Sequence, residues 1–231
     1  MSPGLVVPVL GVDACPTGWV GVALNGDSAP SAIWAKTIAD LAIQVPDVAV
    51  IAIDIPIGLP DDGTRACDVA VRTAVGPRRN SVFLTPIRSA LEAPTFEDAN
   101  RQARAVTGAG ISQQSYALRT KILEVERWVG TTTCRVCEVH PELSFATLAG
   151  RPLKTSKKTW AGARERLQLL DGADVPLESD FGVAGEKAGF DDVLDAAAAA
   201  WTGRRIAAGS AVCFAASNEI DASGRPAAIW A

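Results

Sequence analysis

The chain has 231 residues, 48% of them hydrophobic, which suffices for one well-packed domain carrying a layer of inserted helices. A net charge of −4 argues against indiscriminate coating of nucleic acid, although local basic patches can still bind phosphate. No apolar run reaches the ~18–20 residues of a membrane-spanning helix, and the first residues do not read as a secretory signal, so the expectation is a cytoplasmic protein with no membrane partner.

In chain order, residues 5–13 (LVVPVLGVD) read as an apolar strand ending on Asp13, and residues 18–24 return as the second arm of a hairpin. A third short strand is expected over 32–36, after the turn NGDSAP. Thr37 can cap a short helix, IADLAIQV, which Pro46 stops. The run VAVIAID (48–54) is almost continuously apolar, as a strand buried on both faces requires, and it too ends on a carboxylate, Asp54. Residues 64–75 and 95–106 read as helices, the second with Thr95 as N-cap and Gly108 at its end. The irregular, basic stretch GPRRNSVFLTPIR lies between them.

A longer amphipathic helix is expected over 112–129, with Leu118, Ile122, Val125 and Val129 at helical spacing. The strand 133–139 then leads into Glu138 and His140 of EVHPE. A short helix, the basic loop RPLKTSKKTW (151–160) and a helix through AGARERLQLL follow. The last long helix, 190–208, opens with acids and closes with Arg204 and Arg205, as the helix dipole favours. No repeat or linker interrupts the chain, so the expectation is a single domain over 1–231 with a helical insertion at about 64–130. The apolar tail PAAIWA would pack on the body or on a second subunit.

Three strands joined as hairpins, a helix, a central strand, a helical insertion, a further strand and a final helix follow the order of the ribonuclease H-like fold. That fold implies an α/β protein with a mixed five-stranded sheet, its first three strands antiparallel, and helices on both faces. Its first and fourth strands are parallel neighbours, which would set Asp13 and Asp54 side by side at one edge of the sheet.

Asp13, Asp54, Glu138 and the pair Asp192 and Asp195 each end or begin an element. Asp192 and Asp195, at i and i+3, share a helix face. Clustered carboxylates raise one another's pKa unless a cation sits among them. Two divalent ions roughly 3.5–4 Å apart would satisfy such a group and support phosphodiester hydrolysis. Blander roles compete: Asp54 as a loop cap, Glu138 paired with an arginine of the insertion, and Asp192 or Asp195 complementing the helix N-terminus, with Asp191 as the capping residue. One histidine excludes a multi-histidine metal site, so a bound metal would take carboxylates and water, which favours Mg²⁺ or Mn²⁺. The five cysteines, odd in number and scattered, fit a reducing environment, and the lone CxxC of Cys134 and Cys137 lacks a second pair for zinc.

The motifs GVDACPTGWVGV, DIPIGLP, the R-x-C-D-x-x-x-R segment from Arg65 to Arg72, GPRRNSVFLTP, TGAGISQQ, EVHPELSF, SKKTWAG with Arg164 and Arg166, and DDVLDAAAAAWT together resemble the DUF429 family over about residues 9–230. That family is described as predicted nucleases of ribonuclease H-like fold. The resemblance to resolvase-like members of the wider superfamily implies metal-holding roles for Asp13, Asp54, Asp192 and Asp195. Glu138 has no secure counterpart there, and His140 would orient a ligand or shuttle a proton.

Arg78, Arg79 and Asn80 in one loop, and Lys154, Lys157 and Lys158 in another, would then hold phosphates, with solvated loop charges as the alternative for the lysines. Gln113 and Gln114 would read a base or cap a helix, and few tyrosines and phenylalanines leave little for an extended single-strand stacking platform. The expected function is therefore a Mg²⁺- or Mn²⁺-dependent nuclease acting on DNA or RNA. The alternatives are a non-catalytic nucleic-acid or protein binding module of the same fold, or an actin-like or sugar-kinase-type phosphate-binding protein suggested by DACPTG after a strand.

Overall fold

The computed structural model describes residues 7–26, 28–178, 180–220, 224 and 226–231. β1 (Val9–Cys15) and β2 (Gly18–Leu24) form the expected antiparallel hairpin, and β3 (Ser31–Ala35) extends it on the outer side. Thr37 caps α1 (Ile38–Ala42) by accepting from the Asp40 N–H. β4 (Val50–Ile53) lies parallel to β1 with Val12 opposite Ile53, and β5 (Val136–Val139) lies parallel to β4 with Ile53 opposite Glu138.

Between β4 and β5 run α2 (Ala66–Ala74), a 3₁₀ turn (Gly76–Ser81), α3 (Arg88–Glu92), α4 (Phe96–Thr107), α5 (Gln113–Ala117) and α6 (Arg119–Val129). Thr95 and Gly108 bound α4, Gly108 taking the left-handed conformation (φ 74°) that a residue without Cβ adopts freely. The expected helix over 112–129 is two helices, with Leu118 between them in right-handed backbone. After β5 come α7 (Pro141–Ala149), α8 (Trp160–Asp171), α9 (Val183–Lys187) and α10 (Phe190–Ala207).

The sheet has seven strands rather than five. β6 (Cys213–Ile220) and β7 (Pro226–Trp230) form a C-terminal hairpin, and β7 pairs in parallel with β5, giving the order β3-β2-β1-β4-β5-β7-β6. The apolar tail thus packs on the body: Ala227, Ile229 and Ala231 are buried with Val71, Val75, Val82 and Leu143. The hairpin covers the edge of β5, whose main-chain groups would otherwise lack strand partners.

Helices cover both faces. Alternation along β1 sends Leu10 and Val12 into a core with α1 and α6, and Val9 into a core with α7, α8 and α10. α10 approaches β1 very closely, because a Cβ on Gly11 would lie 2.0 Å from the Ala200 nitrogen and 2.1 Å from the Ala196 oxygen. The fully buried run Ala196–Ala200 is the matching surface, since only small side chains permit that contact. Among the described residues no helix is long and apolar enough to cross a membrane.

Candidate metal centre

The approach of α10 to β1 builds the site. Val9, Gly11 and Asp13 share the face of β1 turned to α10, so the strand that receives Ala196 and Ala200 at Gly11 presents a carboxylate at its end. The β1–β4 register brings Asp54 alongside, its N–H donating to the Val12 carbonyl at 3.0 Å. Asp195 enters from α10 just before the alanine run. Ligand oxygens of Asp13, Asp54 and Asp195 all lie within 4.8 Å of one another.

Asp13 and Asp195 are buried and Asp54 is half-buried. Burial, then the charges of Asp54 and Asp195, raise the Asp13 carboxyl well above its usual range, against a smaller pull from Lys157. Burial likewise pushes Asp54 and Asp195 up to about 7, with Lys157 opposing it in both. Lys157, from the loop before α8, forms an ion pair with Asp195 and lies 3.9 Å from Asp191. Burial alone would lower the Lys157 ammonium, but the surrounding carboxylates win and raise it. Three carboxylates therefore face one lysine, an all-oxygen donor set with surplus negative charge. That is the chemistry a hard divalent cation requires.

A cavity of about 300 Å³ opens over the cluster, with His140, Glu142, Arg78 and Lys158 among its walls. His140 sits at the end of β5, and its buried Nδ1 has no hydrogen-bond partner among the described residues. Burial lowers its pKa, opposed by Asp195 and Glu142. Arg78 also lines the cavity, with a buried Nε that has no partner among the described residues.

Other acids expected at the site have different tasks. Asp192 accepts from the Gly189 N–H at 2.9 Å, so it, rather than Asp191, completes the N-terminal cap of α10 and stands outside the three-carboxylate group. Glu138 lines the cavity, but its carboxylate is held by Arg65 at 2.7 and 2.8 Å and by the Ile57 N–H at 2.7 Å. Burial pushes Glu138 up to about 7 while Arg65 pulls it down. This is the arginine of the insertion that the blander reading of Glu138 required. Arg79 and Asn80 are exposed and do not line this cavity; Asn80 lines a neighbouring one of about 330 Å³, while Gln114 borders both.

The cations that hold this floor, Arg65 and Arg166, stand in the sequence motifs, but the sequence reading assigns them no partner beyond an arginine of the insertion for Glu138. Arg65 also binds Asp68 at 2.5 Å, and Asp68 accepts from the Thr85 N–H at 2.7 Å. The fully buried Arg166 binds Glu142 at 2.7 Å, with Arg78 at 3.5 Å on the other oxygen. The i,i+3 spacing of Arg65 and Asp68 was a usable signal. The Arg166–Glu142 pair links two helices and left no local trace in the sequence. Cys134 and Cys137 are free thiols that join no candidate metal group among the described residues.

Comparison with curated proteins and with solved structures returned no match. The family model described as "Protein of unknown function (DUF429)" matches residues 11–220, from the glycine of β1 that receives α10 to the end of β6. The chain belongs to the DUF429 family.

Proposed function

We propose that this protein is a divalent-metal-dependent phosphodiesterase of ribonuclease H-like fold that hydrolyses DNA or RNA. One observation carries the reading: Asp13, Asp54 and Asp195, from three elements distant in sequence, converge within 4.8 Å, and among the described residues the cation paired with them is Lys157. The fold supports it, since an antiparallel β3-β2-β1 unit continued by parallel β4 and β5 has the strand arrangement of that fold. Asp13, Asp54 and Asp195 would hold Mg²⁺ or Mn²⁺, which supplies water activation and charge stabilisation at a phosphoryl group.

The remaining roles belong to the chain's own groups. Arg78, whose partly exposed side chain lines the cavity, can offer its guanidinium to a phosphate oxygen. Lys157 offers positive charge beside the developing negative charge of the reaction. His140, kept neutral by burial, can accept a proton at Nδ1. Glu138, held by Arg65, positions the floor of the cavity.

The test is cleavage of branched DNA, single strands, duplexes and RNA–DNA hybrids with Mn²⁺ or Mg²⁺, alongside Asp13→Asn purified identically. Cleavage lost in the variant supports the reading, and cleavage that survives in it traces to a contaminant. A second reading, a binding module that holds this fold without metal, is favoured by the Lys157–Asp195 ion pair, which already gives the cluster one positive charge. No cleavage together with no melting shift on adding either metal would select it.

A further inference from the structure

Lys157 and Lys158 line the carboxylate cavity and also a second groove, of about 660 Å³, between the beginnings of α8 and α10. Two aromatic residues border this groove, each the first residue of its helix: Trp160 is 82% exposed and Phe190 is 54% exposed. Neither ring belongs to a hydrophobic core among the described residues. Leaving both in water forgoes the burial that normally draws such side chains inward.

Within this groove the charge is mainly positive, whereas the other side of Phe190 borders a groove lined by Glu178, Asp180 and Glu186. Lys158 and Arg164 are exposed on the groove, and neither forms an ion pair among the described residues. The first turn of α8 carries no acid. Asp191 is the acid on the groove, and Lys157 lies 3.9 Å from it. A cationic, aromatic surface is unusual in a chain whose net charge is −4, and this one continues directly from the carboxylate cluster.

We infer that this groove binds single-stranded nucleic acid, Trp160 and Phe190 stacking on unpaired bases while Lys158 and Arg164 hold the phosphates. Exposed ring faces suit bases that are free of a duplex stack, and cations beside them suit the backbone that connects those bases. The inference rests on the proposed nuclease reading in one respect: the strand held here is the one delivered to Asp13, Asp54 and Asp195. It also revises the expectation from composition, because two well-placed rings can form a platform that the aromatic count does not suggest.

The test uses the full chain in EDTA, so that binding is read without cleavage, with a labelled oligothymidylate of about 12 nucleotides and a duplex of the same length. Single strand should bind more tightly than duplex. Trp160→Ala and Phe190→Ala should each weaken it roughly 5- to 150-fold, the equivalent of about 1–3 kcal/mol per stacked base, with Trp160→Phe retaining most of the affinity. Lys158→Ala and Arg164→Ala should each lower the slope of log affinity against log salt by roughly 0.7.

Absence of single-strand binding, equal affinity for duplex, or a Trp160→Ala affinity within about twofold of the parent would each overturn the inference. So would a Trp160→Ala variant that dissociates a dimer without changing strand affinity. Asp13→Asn separates the two proposals: it should retain strand binding in EDTA while losing cleavage in Mn²⁺. Cleavage of duplex alone, with no single-strand binding, would leave the nuclease reading standing and remove this one.

Discussion

Two groups of carboxylates stand at the same end of the sheet and differ in what neutralises them. Glu138 and Asp68 share Arg65, whose guanidinium fork meets both, and Glu142 is held by Arg166 with Arg78 nearby. Asp13, Asp54 and Asp195 have one lysine among them, engaged with Asp195. Both groups are removed from water, so burial alone does not separate a structural network from a ligand site. The balance of charge does. A buried acid met by a fixed guanidinium is complete, whereas a surplus of carboxylates carries an electrostatic cost that a bound cation could offset.

The largest effect should come from Asp13→Asn, which removes one carboxylate from the surplus group. Metal-dependent cleavage should fall by roughly 10³-fold or more, since several kcal/mol of charge stabilisation is at stake. At pH 8 the metal-free protein should nevertheless melt at a higher temperature, because a carboxylate whose ionised form is disfavoured by burial and by the charges of Asp54 and Asp195 is gone. A lower melting temperature at that pH would contradict the difference between the two groups. Arg65→Ala should act in the opposite direction, leaving Glu138 and Asp68 buried without their cation. We expect a loss of about 3–5 kcal/mol in denaturant unfolding. A loss below about 1 kcal/mol would show that these acids are not charged in the native state.

Acidity gives a further handle. Burial pushes Asp54 and Asp195 up to about 7, above their values in the unfolded chain, and Glu138 shares that shift although Arg65 pulls against it. Between the unfolded value near 4 and about 7 the native state binds more protons than the unfolded state, so metal-free stability should fall as pH rises through that window. A bound divalent ion displaces those protons, so the melting shift on adding Mn²⁺ should be larger at pH 8 than at pH 5. Thermal melts at both pH values, with and without metal, measure this directly. The smallest effect belongs to Asp192→Ala. Losing its bond to the Gly189 N–H should cost about 1 kcal/mol or less and leave metal affinity within a few-fold. A collapse of metal binding in that variant would return Asp192 to the ligand set.

Much of the frame was legible because it is local. Alternation and apolar runs marked β1, β2 and β4, and the caps Thr37, Thr95 and Gly108 bound the helices that their side chains or backbone freedom favour. The hairpin at the C-terminus was not legible as such. A short apolar tail has no strand signature of its own until β5 offers it an edge, so the sheet gained two strands that the chain order alone did not reveal. Lys157 read as a loop lysine that would hold a phosphate, and its pairing with Asp195 across 38 positions was not readable.

That acids stand at the ends of β1 and β4 and at the start of α10 follows from the chain alone, because strand ends and helix starts are written in periodicity and charge over a few residues. Which of those acids meet depends on packing between elements distant in the chain. Asp192 and Asp195 differ by three positions, a rotation of about 300° together with about 4.5 Å of rise along the helix. The seating of Ala196 and Ala200 on Gly11 turns Asp195 toward Asp13 and leaves Asp192 to cap the helix. The same holds for Glu138: its place at the end of β5 was readable, but its partner, Arg65, reaches it from 73 positions away, and pairing at that distance is fixed by packing and charge rather than by any local pattern.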